Sequence, residues 1–139
     1  MIEKAFVDTN ILVYAHDLDA AVKRKTAQKI LSDLWENETG TISIQVLHEF
    51  YITVTRKIQK PLSIAIAKGI IENYLTWPLI INDEKTMMRA TEIEERYLLS
   101  FWDALILAAA SQAKAGILLT EDLSHDQEIE GIRIVNPFL

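Results

Sequence analysis

The chain has 139 residues, half of them hydrophobic, a size and composition that suit one folded domain with a buried core and exclude a disordered segment. Its formal net charge of −6 opposes binding to phosphate backbones, where affinity comes from Lys and Arg, unless the acids gather at one site that divalent cations neutralise. Cysteine is absent, which excludes disulfides, thiolate zinc sites and cysteine nucleophiles. No apolar run approaches the roughly 18 residues of a membrane-spanning helix. The opening Met1–Asp8 lacks a signal-peptide pattern, so the expectation is a soluble, cytoplasmic protein with no membrane partner.

Residues 3–7 read as a short apolar strand ending at Asp8-Thr9-Asn10, followed by a short helix through Ile11–Tyr14. Residues 20–37 read as a helix, with Ile30, Leu31 and Leu34 at helical spacing. Gly40 closes that unit, and Thr41–Ile44 suits a second strand. Helices follow over 45–59, up to Pro61, and over 62–76, with Ser63 as N-cap. Leu79–Ile81 reads as a third strand. Residues 83–97 form a helix whose Asp83 and Glu84 suit the positive end of its dipole. A helix over 101–114, a fourth strand over 116–120 and a fifth over 132–135 complete the chain. This alternation predicts an α/β fold with a mainly parallel sheet of about five strands covered on both faces. Ligands bind such sheets beyond the carboxyl ends of the strands, the edge on which Asp8 and Asp122 both fall.

Four acids stand out, each with a bland alternative. Asp8 also reads as an ordinary helix N-cap. Asp103 interrupts the apolar run Phe101–Ala110, a helix that should be buried, where a lone carboxylate is costly. Its alternative is a capping box with Ser100, but that motif prefers Glu or Gln, so a functional acid is favoured. Asp122 in Thr120-Glu121-Asp122 also reads as a turn residue, with Glu121 competing for the role. Glu49 falls off the apolar stripe of its helix and reads alone as a solvated surface residue. His16, His48 and His125 lack metal-ligand spacing and read as structural or exposed. The basic groups Lys23-Arg24-Lys25 with Lys29, and Arg56-Lys57 with Lys60, read as solvated helix faces ahead of a role in steering RNA. P-loop, dinucleotide-binding and nucleophile-elbow motifs are absent.

The constellation says more than its members. Phe6-Val7-Asp8-Thr9-Asn10, a helical Glu49, Ser100-Phe101-Trp102-Asp103-Ala104-Leu105-Ile106 and Leu118-Leu119-Thr120-Glu121-Asp122 occur in that order, and the chain closes on Ile134-Val135-Asn136-Pro137-Phe138. This pattern resembles the PIN-domain family, and within it the VapC-like toxins of toxin–antitoxin pairs, over essentially the whole chain. The resemblance implies a single PIN-like nuclease domain over residues 1–139 with a three-layer α/β/α fold. It implies a ribonuclease that uses Mg²⁺ or Mn²⁺, with RNA as substrate, an antitoxin protein as partner and a homodimeric state. It assigns the metal-binding and catalytic acids to Asp8, Glu49, Asp103 and Asp122, with Thr9, Asn10 and Ser43 as supporting polar groups. One departure concerns Asp126, which stands where the family often has glycine; it changes the loop's expected shape and adds an acid near the site.

The implied metals are hard cations that prefer oxygen ligands, which suits carboxylates. Two unit charges at ~4 Å repel by roughly 4 kcal/mol at an effective dielectric near 20, so the metal-free acids should retain some protons. The competing readings are a non-catalytic PIN-like module that binds RNA or protein, and an aspartate-based phosphatase. The latter normally needs a second Asp two residues after the first, where this chain has Asn10. A receiver-like signalling domain would want a lysine late in the sheet, and Gly116–Glu121 offers none.

Overall fold

A computed structural model describes residues 3–139; the expectations for Met1 and Ile2 lie outside the described residues. The strands are β1 (Ala5–Val7), β2 (Gly40–Ser43), β3 (Leu79–Ile80), β4 (Ile117–Leu119), β5 (Glu128–Ile129) and β6 (Ile132–Val135). The helices are α1 (Thr9–His16), α2 (Val22–Asn37), α3 (Ile44–Arg56), α4 (Ile64–Tyr74), α5 (Glu84–Tyr97) and α6 (Phe101–Gln112). They form one sheet in the order β3-β2-β1-β4-β6-β5, parallel except for the final β6–β5 pair. Helices α1 to α4 pack on one another, α5 packs on α6, and β2 is touched by α2, α3 and α6. The result is the expected three-layer α/β/α arrangement.

Local chemistry explains most boundaries. The hydroxyl of Ser43 accepts from the Val46 amide at 3.3 Å, which starts α3 one residue earlier than the apolar pattern suggests and takes Ile44 out of the strand. Ser63 caps α4 as expected. Asp83 and Thr86 close a reciprocal capping box at the start of α5. The sheet has one strand more than expected. Strand β5 is only two residues long and joins β6 through Glu130 and Gly131, both at positive φ, as a tight two-residue hairpin requires.

The core explains the burial of the central strands. All of β1 and β2 is buried, and so is α6 from Ala104 to Ala110. Gly40 lets Trp77 lie directly on β2, since a Cβ there would come within 2.6 Å of the indole ring. Trp77 in turn packs with Trp35 and Tyr74. Strand β1 lies between β2 and β4: the chain runs outward from β1 through β2 to β3, then crosses back to β4 on the other side of β1. That reversal opens a crevice at the carboxyl ends of β1 and β4.

Candidate active site

Asp8 is the first residue beyond β1 and is buried, 8% exposed. Register places it beside β4: Val7 pairs with Leu119, and the Asp8 amide donates to the Leu119 carbonyl at 3.0 Å. Its carboxylate accepts from the Thr9 amide at 2.7 Å and from the Thr120 hydroxyl at 2.8 Å. Asp8 is therefore the N-cap of α1, with its second carboxylate oxygen held by Thr120. Burial pushes its carboxyl up to about 7, the two hydrogen bonds oppose that rise, and the charges of Asp122 and Glu49 add to it. Protons are thus retained as charge repulsion predicts, but desolvation is the larger cause.

Thr120 joins the two strand-edge acids. It is fully buried, and its oxygen also accepts from the Asp122 amide at 3.0 Å. The Asp122 side chain accepts from Asn10 Nδ2 at 3.0 Å across 112 residues of chain. Its carboxyl is raised by desolvation and by the charges of Asp103 and Glu121. The sequence pattern alone assigns Thr120 no role. The available signal was a polar residue closing an apolar strand beside the first acid.

Glu121 and Asp122 have different partners. Glu121 accepts from the Tyr14 hydroxyl and from Lys23 Nζ at 2.9 Å, and Lys23 also lies over the Tyr14 and Phe138 rings. Burial opposes ionisation of Glu121, but these bonds outweigh it and leave its carboxyl below the ordinary value. Glu121 is an anchor for the loop that carries Asp122.

The helical acids are held differently. Asp103 lies in the first turn of α6, where its amide donates to the Ser100 hydroxyl at 3.1 Å. The expected burial applies from Ala104 onward: Asp103 itself is half-buried, and Trp102 beside it is 66% exposed. The first helical turn projects beyond the core, so the buried carboxylate of the site is Asp8. Glu49 is exposed and accepts from Gln45 Nε2 at 2.9 Å. Glu49 adds to the upward push on the Asp8 carboxyl, and Asp103 to that on Asp122.

The supporting residues divide. Asn10 holds Asp122, and Thr9 holds Asp8 through its amide; Thr9 Oγ1 and Asn10 Oδ1 are buried without a hydrogen-bond partner. The Ser43 hydroxyl accepts from the Val46 amide and so caps α3. Asp126 turns away from the expected extra-acid role. It adopts φ 66°, the left-handed conformation for which glycine is suited and which Asp tolerates, and it faces Arg133 and His125. His16 is structural: it bonds Tyr74 at 3.1 Å, packs on Phe50, and is lowered by burial and by Arg24. Of the basic groups, Lys23, Lys29 and Lys60 are paired with Glu121, Asp33 and Asp19.

The donor set suits a hard divalent cation: carboxylates together with a buried, unpartnered amide oxygen on Asn10. Among the described residues no group of three or more His, Cys, Asp or Glu side chains is placed so that it could hold a metal ion. Mg²⁺ characteristically binds through one or two carboxylates and retains several waters, so an open arrangement of this kind fits it.

The PIN domain family model matches residues 5–127. The chain belongs to the PIN domain family. Its fold is shared with a toxin–antitoxin complex from Klebsiella pneumoniae, at 24% identity and TM-score 0.70, covering 96% of this chain and 98% of that one. It is shared also with VapC20 of Mycobacterium tuberculosis, described as a sarcin-ricin loop cleaving toxin, at 19% identity and TM-score 0.64, covering 83% and 87%. DNA-bound VapBC from Salmonella typhimurium aligns at 18% identity and TM-score 0.67, covering 96% and 97%. No curated protein sequence matches. Membership of the PIN family displaces the aspartate-phosphatase and receiver alternatives. Among the described residues no helix of this PIN domain is long and apolar enough to cross a membrane.

Proposed function

We propose that this PIN domain is a divalent-metal-dependent endoribonuclease, the toxin of a toxin–antitoxin pair, whose metal is held by Asp8, Asp103, Glu49 and Asp122. One observation carries the reading: at the switch point of the sheet the Thr120 side chain ties the Asp8 carboxylate to the backbone amide of Asp122, and the charges of Glu49 and Asp103 bear on these two acids. Such a concentration of negative charge is unfavourable by itself and becomes favourable when a cation neutralises it. When bound, Mg²⁺ or Mn²⁺ supplies Lewis-acid stabilisation of charge on the phosphate and acidifies water.

The chain's own groups set the geometry. Thr120 and the Thr9 amide fix both Asp8 oxygens, and Asn10 fixes Asp122. The Ser100 cap orients the turn bearing Asp103. Exposed Trp102, next to Asp103, offers an aromatic face to an unstacked base. With a net charge of −6, general attraction for the phosphate backbone is weak, so the reading favours unpaired RNA over duplex. The cleavage described for VapC20 and the toxin–antitoxin assignment of the Klebsiella relative support it. An antitoxin protein and a second copy of the chain are the proposed partners.

The test is cleavage of single-stranded RNA by the pure full chain with Mg²⁺ or Mn²⁺. Activity should vanish in EDTA and fall about 100-fold or more in Asp8→Asn and in Asp103→Asn. Cleavage that persists in EDTA, or in both variants, overturns the scheme. Expression should also arrest growth in a manner that Asp8→Asn relieves; growth unaffected by the wild-type chain counts against the toxin role.

A further inference from the structure

Glu49 has a support that no strand provides. Gln45 lies four residues before it on α3, on the same helix face. Gln45 is only 9% exposed although it is polar. Its Nε2 donates to Glu49 Oε1 at 2.9 Å, and its Oε1 accepts from Asn82 Nδ2 at 3.4 Å. Asn82 reaches this point because β3 pairs with β2 in register, Ile80 opposite Ser43, and the chain leaves both strands at the same carboxyl edge. The segment after β3 therefore connects to the acid of α3.

The direction of this chain of bonds is fixed from one end. A carboxylate only accepts, so Gln45 must turn its NH₂ toward Glu49. Its carbonyl oxygen then faces Asn82, which must answer with its own NH₂. Neither amide can flip without setting acceptor against acceptor. Asn82 Oδ1 is buried and has no hydrogen-bond partner, so no bond at that atom competes for the orientation.

We propose that Gln45 and Asn82 are positioning residues, an amide relay that aims the Glu49 carboxylate at the metal site. Neither touches the reacting atoms. The inference rests on the reading of the four acids as a divalent-metal site. It adds to that reading a residue on the far side of β2, beyond any of the four acids in the strand order. Outer groups of this kind are typically worth 10- to 100-fold in metal affinity or activity.

The discriminating variant is Asn82→Asp, which has no hydrogen bond to Glu49. A carboxylate at that position only accepts, so Gln45 must turn its NH₂ toward it and present its oxygen to Glu49. In the full chain, Mn²⁺ affinity, read from the spectroscopic signal of the free ion, should fall about tenfold, and RNA cleavage by at least the same factor. Gln45→Met should produce a similar loss. Asn82→Asp added to Gln45→Met should then cost nothing more, because the relay is already broken. A long-range charge effect would instead appear equally in both backgrounds and would overturn the relay. So would Asn82→Asp within twofold of wild type. If Asn82→Asp melts below the assay temperature, Asn82→Ala with Gln45→Met completes the same cycle. Wild-type chain that neither binds Mn²⁺ nor cleaves RNA overturns the metal-site reading and the relay's role with it. Wild-type chain that does both, with unchanged variants, overturns the relay alone.

Discussion

The two strand-edge acids and the two helical acids are built to different standards. Asp8 and Asp122 follow adjacent parallel strands, and the backbone register alone brings them together. A buried threonine and an asparagine then hold their oxygens and amides. Glu49 and Asp103 project from helices at the margin of the core, and their placement depends on a neighbouring amide and a helix cap. The strand edge supplies a costly, rigid carboxylate, and the helices supply adjustable ones. This division suits a site that must change its charge when a cation enters.

The sharpest test of the costly half is pH. The carboxyl of Asp8 is raised to about 7 in the folded chain, above its ordinary value of 3.8. The folded state therefore binds that proton more tightly than the unfolded state. The contribution of Asp8 to stability is greatest below about pH 4 and is lost as pH rises through about 7. Asp8→Asn removes this penalty, so in EDTA its melting advantage over wild type should grow from pH 4 to 7 and level off above. The advantage is at most about 4 kcal/mol. An advantage that does not depend on pH would break the comparison.

Thr120→Val comes next. It keeps the shape but removes the hydroxyl shared by Asp8 and Asp122, and it should cost about 1–3 kcal/mol in denaturant unfolding and most of the RNA cleavage. Ser100→Ala tests the adjustable half. Loss of the α6 cap should cost about 1 kcal/mol and lower cleavage only several-fold, because Asp103 remains on its helix. Equal kinetic losses in the two variants would erase the distinction between the two kinds of support. The smallest effect is expected for Asp126→Gly, which gains conformational ease at positive φ and gives up a long contact with Arg133. Its stability should stay within about 0.5 kcal/mol of wild type, with cleavage unchanged.

These contrasts also explain what the sequence made legible. Strands β1 and β4 announce themselves as apolar runs, so the acids beyond them can be placed on one edge without coordinates. Helix ends marked by Ser63 and Asp83 are equally local. Thr120 and Gln45 carry little local signal, because their roles lie in partners on other elements. The choice between Glu121 and Asp122 likewise needed Tyr14 and Lys23, about 100 residues earlier in the chain. Asp103 was placed correctly on its helix, yet its burial was overestimated, because an apolar run does not reveal where a helix leaves the core. Strand β5 is too short to show an alternating pattern.

The central position of β1 carries a consequence for the order of synthesis. Of the two neighbours of β1, β4 follows it by more than 100 residues. Asp8 meets Thr120 only after 112 further residues have been added. During translation the first acid therefore waits without its threonine bond while six helices and three strands are added. Contacts of such long sequence separation form late and slowly. No nascent fragment that stops short of Thr120 contains the assembled carboxylate edge, so chemistry at that edge is deferred until β4 and Thr120 have been made.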